Sequence, residues 1–177
     1  MNHIKFVDIL SVDDKLKEKV RRWRNKERIR RSMLTQHQIS KEEHFRWIEN
    51  LRNKDNYKFW VVFANDVPIG SVYLQNISYR QLKAGWGFYI GEDAYVGKGL
   101  STGIVYKLLH HFFEAMKFDV LLTEAFSDNT VALNIYRKFK FAEINSLSAN
   151  GGKEIVTLSF SRDNWERCKS DFENVYF

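Results

Sequence analysis

The segment Ile90-Gly91-Glu92-Asp93-Ala94-Tyr95-Val96-Gly97-Lys98-Gly99-Leu100-Ser101-Thr102 decides how this chain is read, because an aromatic strand-like run passes through a glycine turn into a long amphipathic helix. Glycines at 97 and 99 let backbone approach an anion closely. A helix starting near Gly99 aims unpaired N–H groups and its positive dipole end at the same place. The turn reads as a phosphate cradle, so chemistry around a phosphorylated cofactor is expected.

Upstream of it, Ala84 to Ile90 is a predicted strand with Trp86, Phe88 and Ile90 on one face and Gly85, Gly87 and Tyr89 on the other. The glycines should leave backbone accessible on that second face. Phe59 to Ala64 is a buried-strand run, Asn65-Asp66-Val67-Pro68 turns the chain, and Ile69 to Gln75 returns, which makes a hairpin. Ser40-Lys41-Glu42-Glu43 has the spacing in which a hydroxyl and a carboxylate satisfy each other's backbone donors, so a helix carrying Phe45, Trp47, Ile48 and Leu51 should begin there. Nearer the N-terminus, Ile4 to Leu10 has strand character, and Leu16, Val20 and Trp23 follow at helical spacing.

Downstream, Leu100, Ile104, Leu108, Phe112 and Met116 recur at i+4 steps, widened by Val105, Leu109 and Phe113, so this helix must pack on a sheet. Val120 to Phe126 reads as a strand, and Asp128 is placed to cap a helix running through Tyr136 and Arg137. Phe141 to Ile144 starts another strand, and an Asn150-Gly151-Gly152 turn leads to the last one, Ile155 to Phe160. The predicted order is β-α-α-β-β-β-α-β-α-β-β. One domain is expected over 1–160, with the tail, 161–177, forming at most a short peripheral helix.

With 177 residues and 44% hydrophobic content the chain can build one well-packed core. Its net charge of +6 favours anionic partners without choosing among them. Cys168 is the sole cysteine, which excludes an intrachain disulfide framework and a thiolate metal cluster; no metal is expected. The start Met1-Asn2-His3-Ile4-Lys5-Phe6 lacks the apolar core of a secretion signal, and no apolar run approaches the ~18 residues of a membrane span, so a soluble cytoplasmic protein is expected. Ten basic residues lie between Lys15 and Arg31 against Glu18 and Glu27. A solvated helix face is the ordinary reading of each; binding of substrate phosphate by one or two is the alternative.

The turn is not a nucleotide-triphosphatase loop, since Glu92 and Gly99 stand where a glycine and a Ser or Thr are needed. Nor is it a dinucleotide fingerprint, whose third glycine is replaced by Thr102. A second motif, Asn129-x-x-Ala132-x-x-x-Tyr136-x-x-x-Lys140-Phe141, follows a strand and forms a helix. Together the two motifs resemble the cofactor-binding segments of the GNAT N-acetyltransferases, most clearly from Phe59 to Phe160. The resemblance implies an α/β fold with a central, mostly antiparallel twisted sheet and helices on both faces. It also implies acetyl-CoA as acetyl donor, with Gly97, Lys98, Gly99, Ser101 and Thr102 at the pyrophosphate. Phe88, Tyr89 and Ile90 would hold the pantetheine, Asn129 would contact the cofactor, and Tyr136 would lie beside its sulfur. The chain departs from the family pattern at Val96, where Arg or Gln is usual, at Ser101, usually Gly or Ala, and at Lys140, usually Gly.

Transfer of acetyl from a thioester to an amine needs a neutral amine, a polarised carbonyl and a proton for the departing thiolate. Tyr136 suits the last role, since a phenol with a reference pKa of about 10 can donate efficiently to sulfur. By resemblance, backbone N–H groups from Gly87 to Ile90 would bind the carbonyl oxygen. Glu124, Glu92 and His44 are candidate bases, each also readable as an ordinary surface or structural residue, and a weakly basic sugar amine needs little help.

Trp23-Arg24-Asn25, Met33, Ile39 and Glu43-His44-x-x-Trp47-Ile48 resemble the acetyltransferases of pseudaminic acid biosynthesis. That family acetylates the 4-amino group of UDP-4-amino-4,6-dideoxy-N-acetyl-β-L-altrosamine for bacterial glycans such as flagellin sugars. The resemblance implies that Arg24 pairs with the diphosphate, Met33 and Trp47 wall the uracil or deoxysugar methyl, and His44 hydrogen-bonds the sugar nucleotide. Trp23, Met33 and Trp47 are equally readable as core. A UDP-amino sugar is thus the expected small-molecule partner, with neither nucleic acid nor membrane, and a homodimer is allowed. The rival is an enzyme acetylating a protein N-terminus, such as that of a ribosomal protein; a polyamine acceptor fits the positive charge poorly. A nonenzymatic nucleic-acid-binding module would explain the basic run but neither motif.

Overall fold

Asn65 and Asp66 both take left-handed backbone, with φ of 48° and 66°, and close a two-residue hairpin turn between a strand Tyr57–Ala64 and a strand Val67–Ser78. The register shifts by one residue between Val62 and Phe63, so Ile69 is the extra residue of a bulge. Pro68, which has no N–H for the ladder, sits beside this irregularity. The computed structural model describes residues 3–148 and 153–176; the expected turn at Asn150-Gly151-Gly152 lies outside the described residues.

In chain order the elements are β1 (Ile4–Asp8), α1 (Asp14–Asn25), α2 (Glu27–Arg30), α3 (Lys41–Leu51), β2 (Tyr57–Ala64), β3 (Val67–Ser78), β4 (Lys83–Ile90) and α4 (Leu100–His110). There follow β5 (Val120–Phe126), α5 (Thr130–Lys138), β6 (Ala142–Ser148), β7 (Glu154–Ser161) and α6 (Arg162–Tyr176). The strands form a seven-stranded sheet ordered β1-β2-β3-β4-β5-β7-β6. Its β1–β2, β2–β3, β5–β7 and β6–β7 pairs are antiparallel, and β4–β5 is parallel, which matches the mostly antiparallel mixed sheet expected. Two units divide the chain, one of residues 2–75 and 87–100, the other of 76–86 and 101–177.

In the first unit β1 stops at Asp8, earlier than expected, because the Asp8 carboxylate accepts from Leu10 N–H at 2.8 Å and starts a 3-10 turn. Asp13 caps α1, and Ser40 Oγ caps α3 by accepting from Glu43 N–H at 3.1 Å, as the spacing requires. Val20 and Trp23 of α1, Ile29 of α2, and Ile48 and Leu51 of α3 bury their apolar faces with Phe59, Val61 and Tyr89. Completely burying one such side chain is worth about 1.5–3 kcal/mol, so this cluster is what fixes the three helices.

The helix stripe holds from Leu100 to Leu109, and in the second unit the helix then widens to a π turn over His111–Ala115. The wider turn buries both Phe112 and Phe113, and Met116, expected on the stripe, is only half-buried. Helix α5 is capped by Asn129, whose Oδ1 accepts from Ala132 N–H at 3.2 Å; the expected cap, Asp128, lies one residue too early. The tail is not peripheral. Trp165, Cys168 and Phe172 of α6 are buried, Trp165 Nε1 donates to Glu114 at 2.7 Å, and Phe172 stacks on Phe139.

Candidate active site

At Gly97 and Gly99 φ is +74° and +75°, a conformation that an L side chain strains to adopt. A Cβ built at either would meet nothing within 4 Å, and Val96 beside them is 47% exposed. The backbone of the turn is therefore open to a ligand, and the eleven-residue α4 begins one residue beyond it. The structure fits the pyrophosphate of a coenzyme here: open N–H groups, a helix N-terminus, and no side chain filling the space.

The turn is held from behind. Ile69 O, at the β3 bulge, accepts from Gly91 N–H at 2.7 Å and Glu92 N–H at 3.0 Å. Arg28 donates to Ile90 O and Gly91 O, Lys26 Nζ also reaches Gly91 O at 2.9 Å, and both cations pair with Asp93 at 2.7 Å. Trp23 packs against Gly91, where a Cβ would come within 2.2 Å of the indole. Its Nε1 donates to Glu92 Oε1 at 3.1 Å, and Lys19 pairs with the same carboxylate at 2.7 Å. Those contacts hold Glu92 below its ordinary pKa, so as a base it would be weak and already engaged.

In the other unit, β4 and β5 stay in register from Lys83–Val120 to Gly85–Leu122. Past that point the Thr123 hydroxyl donates to Trp86 O at 3.2 Å and lies 3.4 Å from Tyr136 Oη. Tyr136 is 5% exposed, and its ring meets Trp86 edge-on at 5.6 Å. Asn129 uses Oδ1 as the α5 cap, which leaves its Nδ2 for a ligand. Thr102 is buried with Lys138 Nζ 3.4 Å from its hydroxyl, and Ser101 is half-buried. Glu124, a candidate base, is exposed.

Arg24, Met33, His44 and Trp47 all line one cavity of about 400 Å³ in the first unit. Arg24 Nη2 donates to Thr35 O at 2.6 Å, whereas its Nη1 is buried with no hydrogen-bond partner among the described residues. Burial pushes the guanidinium pKa down, the charge costing more away from water, yet an arginine stays cationic at any working pH. Tyr57, Tyr73 and Tyr89 surround it, and burial raises all three phenols, Tyr89 to about 12, so they are neutral. His44 donates from Nε2 to Lys17 O at 2.9 Å and stacks on Trp47 at 5.5 Å. A carbonyl only accepts, so the proton sits on Nε2 and only Nδ1 remains to meet a ligand. Burial lowers the His44 pKa, which keeps the ring neutral. Among the described lining residues the one carboxylate is Glu43, and His37 Nε2 pairs with it at 2.8 Å.

The basic run has a structural job that its sequence did not announce. Arg21 donates to Ile39 O, Arg24 to Thr35 O and Arg30 to Gln36 O, while Asn25 makes paired bonds with the Ile39 backbone at 2.8 Å. These contacts pin the irregular segment 32–40, which supplies Met33, Thr35 and Ile39 to the cavity rim. Missed at the sequence level were the Tyr57, Phe59 and Tyr73 side chains. Tyr57 pairs with Gln75 and Phe59 with Tyr73 across the β2–β3 ladder, so their period-two spacing on adjacent strands was the available signal. Tyr89, expected beside pantetheine, turns its side chain into this same cavity. Gly87, expected to expose backbone, faces the Tyr73 hydroxyl instead.

The profile of the acetyltransferase (GNAT) domain matches residues 10–142. The acetyltransferase PseH of Campylobacter jejuni subsp. jejuni serotype O:2 is 32% identical over 136 residues, covering 77% of this chain and 81% of that one. Among solved structures, spermidine N-acetyltransferase from Vibrio cholerae, in complex with CoA and spermine, superposes with a TM-score of 0.83 at 16% identity over 92% of this chain and 98% of that one. The C. jejuni PseH complex with acetyl coenzyme A gives 0.68 at 22% identity over 90% and 100%. The chain belongs to the GNAT acetyltransferase family and is an acetyl-CoA-dependent N-acetyltransferase.

Proposed function

We propose that the chain acetylates the 4-amino group of a UDP-linked 4-amino-4,6-dideoxy sugar, as a step in pseudaminic acid biosynthesis in the cytoplasm. The observation that carries this reading is Arg24, half-buried, whose buried Nη1 has no hydrogen-bond partner among the described residues, in a cavity whose one described carboxylate is already tied to His37. A cation with one buried free donor favours an anion, and a diphosphate supplies one in the geometry that a guanidinium prefers. A polyamine would meet like charge and no unengaged carboxylate. The fold shared with spermidine N-acetyltransferase therefore does not extend to its acceptor. The likeness to PseH supports the sugar-nucleotide reading.

In this reading Met33 and Trp47 offer an apolar wall to the uracil or the deoxysugar methyl, and the neutral His44 accepts a hydrogen bond at Nδ1. Gly97, Lys98, Gly99, Ser101 and Thr102 bind pyrophosphate, the β4 backbone from Phe88 to Ile90 lies along pantetheine, and Asn129 gives Nδ2 to the coenzyme. Acetyl-CoA supplies the acetyl group as an activated thioester. Tyr136 holds a proton at Oη for the departing sulfur, its phenol fixed beside Thr123. Glu43, the one carboxylate among the described lining residues, is engaged by His37, which suits an amine that reaches the site neutral.

Acetylation of a protein N-terminus is the rival; the nucleic-acid reading loses Arg21, Arg24 and Arg30 of its basic run to the 32–40 segment. Equilibrium binding of free UDP tests the proposal: UDP should bind the wild type, lose about tenfold or more in affinity in Arg24→Ala, and be unaffected by spermidine. Spermidine binding with no affinity for UDP would reverse the assignment.

A further inference from the structure

Tyr73 stands between the cavity and β4. Its ring is held parallel to Tyr57 at 6.0 Å and 7° and to Phe59 at 6.1 Å and 2°, which leaves the ring no freedom to swing away. A Cβ built on Gly87 would fall 2.3 Å from the Tyr73 hydroxyl oxygen and 2.5 Å from the ring carbon bearing it. The hydroxyl thus occupies the place that any side chain at 87 would take. Gly87 is the residue at which the cavity's aromatic wall reaches the strand assigned to the acetyl donor. Tyr89, two residues on, lines the same cavity.

We propose that Tyr73 is an acceptor-binding residue whose hydroxyl oxygen accepts a hydrogen bond from the amine that is about to be acetylated. The inference rests on the sugar-nucleotide reading above and deepens it. One N–H directed at Tyr73 orients the amine and leaves its nitrogen lone pair free for the acetyl carbonyl. Burial raises the phenol pKa by more than the Arg24 charge lowers it, so the oxygen is a neutral hydroxyl that neither attracts an ammonium nor competes for the acetyl group. Arg24 would then hold the anionic end of the acceptor, and Tyr73 its reactive end.

The test is Tyr73→Phe, which keeps the ring stack and removes only the oxygen. With the UDP-4-amino-4,6-dideoxy sugar, kcat/KM should fall about tenfold, the size of one lost hydrogen bond to the reacting group. The KM for acetyl-CoA, the thermal midpoint and the affinity for free UDP should all stay at wild-type values, because none of them involves the amine. Gly87→Ala, which puts a methyl where the hydroxyl sits, should lose acceptor kcat/KM as well. An unchanged kcat/KM in Tyr73→Phe overturns the inference. So does an equal loss of free-UDP affinity, which would make Tyr73 a wall for the nucleotide. A wild type that turns over the sugar while Tyr73→Phe matches it removes this inference alone; a wild type inert toward the sugar removes the proposed function with it.

Discussion

The Phe141 N–H donates to the carbonyl of Tyr136 at 3.0 Å, the long bond of a helix-ending motif whose short bond runs from Lys140 N–H to Arg137 O at 2.9 Å. The rings of the same two residues meet at 5.5 Å. Lys140 makes the motif possible by taking φ of +61°, the left-handed conformation for which glycine is the usual residue. The end of α5, and with it the position of Tyr136, thus depends on one strained lysine.

Replacing it should relieve the strain. Lys140→Gly is expected to stabilise the protein by about 0.5–1 kcal/mol, since its ion pair with Asp171, at 3.5 Å and exposed, contributes little. Lys140→Val should cost more than about 1 kcal/mol. Denaturant midpoints of the two variants check this, and the reverse order would contradict the left-handed assignment.

Tyr136→Phe should lower kcat by about 100-fold while leaving acetyl-CoA affinity near wild type, because the ring stays packed on Trp86 and Phe141 and only the proton donor goes. Turnover at the wild-type rate would remove Tyr136 from the chemistry.

Gly91→Ala should destabilise the protein by about 2 kcal/mol, because a Cβ there lies 2.2 Å from the Trp23 indole, whose buried ring has nowhere to move. The KM for acetyl-CoA should rise too, since the phosphate turn hangs from Gly91. A thermal midpoint equal to wild type would show that Trp23 can shift.

Much of this was legible in the sequence, and the failures have physical causes. The hairpin at Asn65-Asp66, the Ser40 cap and the glycine turn each rest on residues whose local chemistry permits few alternatives, and each forms where it was read. Asn129 displaced Asp128 as cap because both side chains suit the role and only the backbone geometry separates them. The burial of α6 was missed since Trp165, Cys168 and Phe172 are sparse among charged neighbours and declare themselves only when packed. Arg24, Met33, His44 and Trp47 were grouped by resemblance, and they share one cavity; Tyr57 and Tyr73 escaped because pairing across strands is not visible along one strand.

Stability should also carry the signature of His44. Its folded pKa lies below the ordinary 6.5, so the unfolded chain takes up the proton first as pH falls. The contribution of neutral His44 is whole above about pH 7 and declines as pH drops through 6.5 toward the folded pKa. His44→Gln, which can still donate to Lys17 O, should flatten the pH dependence of stability over that range. An identical slope in wild type and variant would mean that His44 is solvated when folded.

The central claim is tested most directly by release of CoA thiol from acetyl-CoA, with the purified protein offered in turn the UDP-4-amino-4,6-dideoxy sugar, spermidine and an acidic N-terminal peptide. Release with the amino sugar alone is the expected result and would place the acceptor on Arg24. Release with spermidine or the peptide, and none with the sugar, would contradict the account and leave the buried Nη1 of Arg24 in need of another partner.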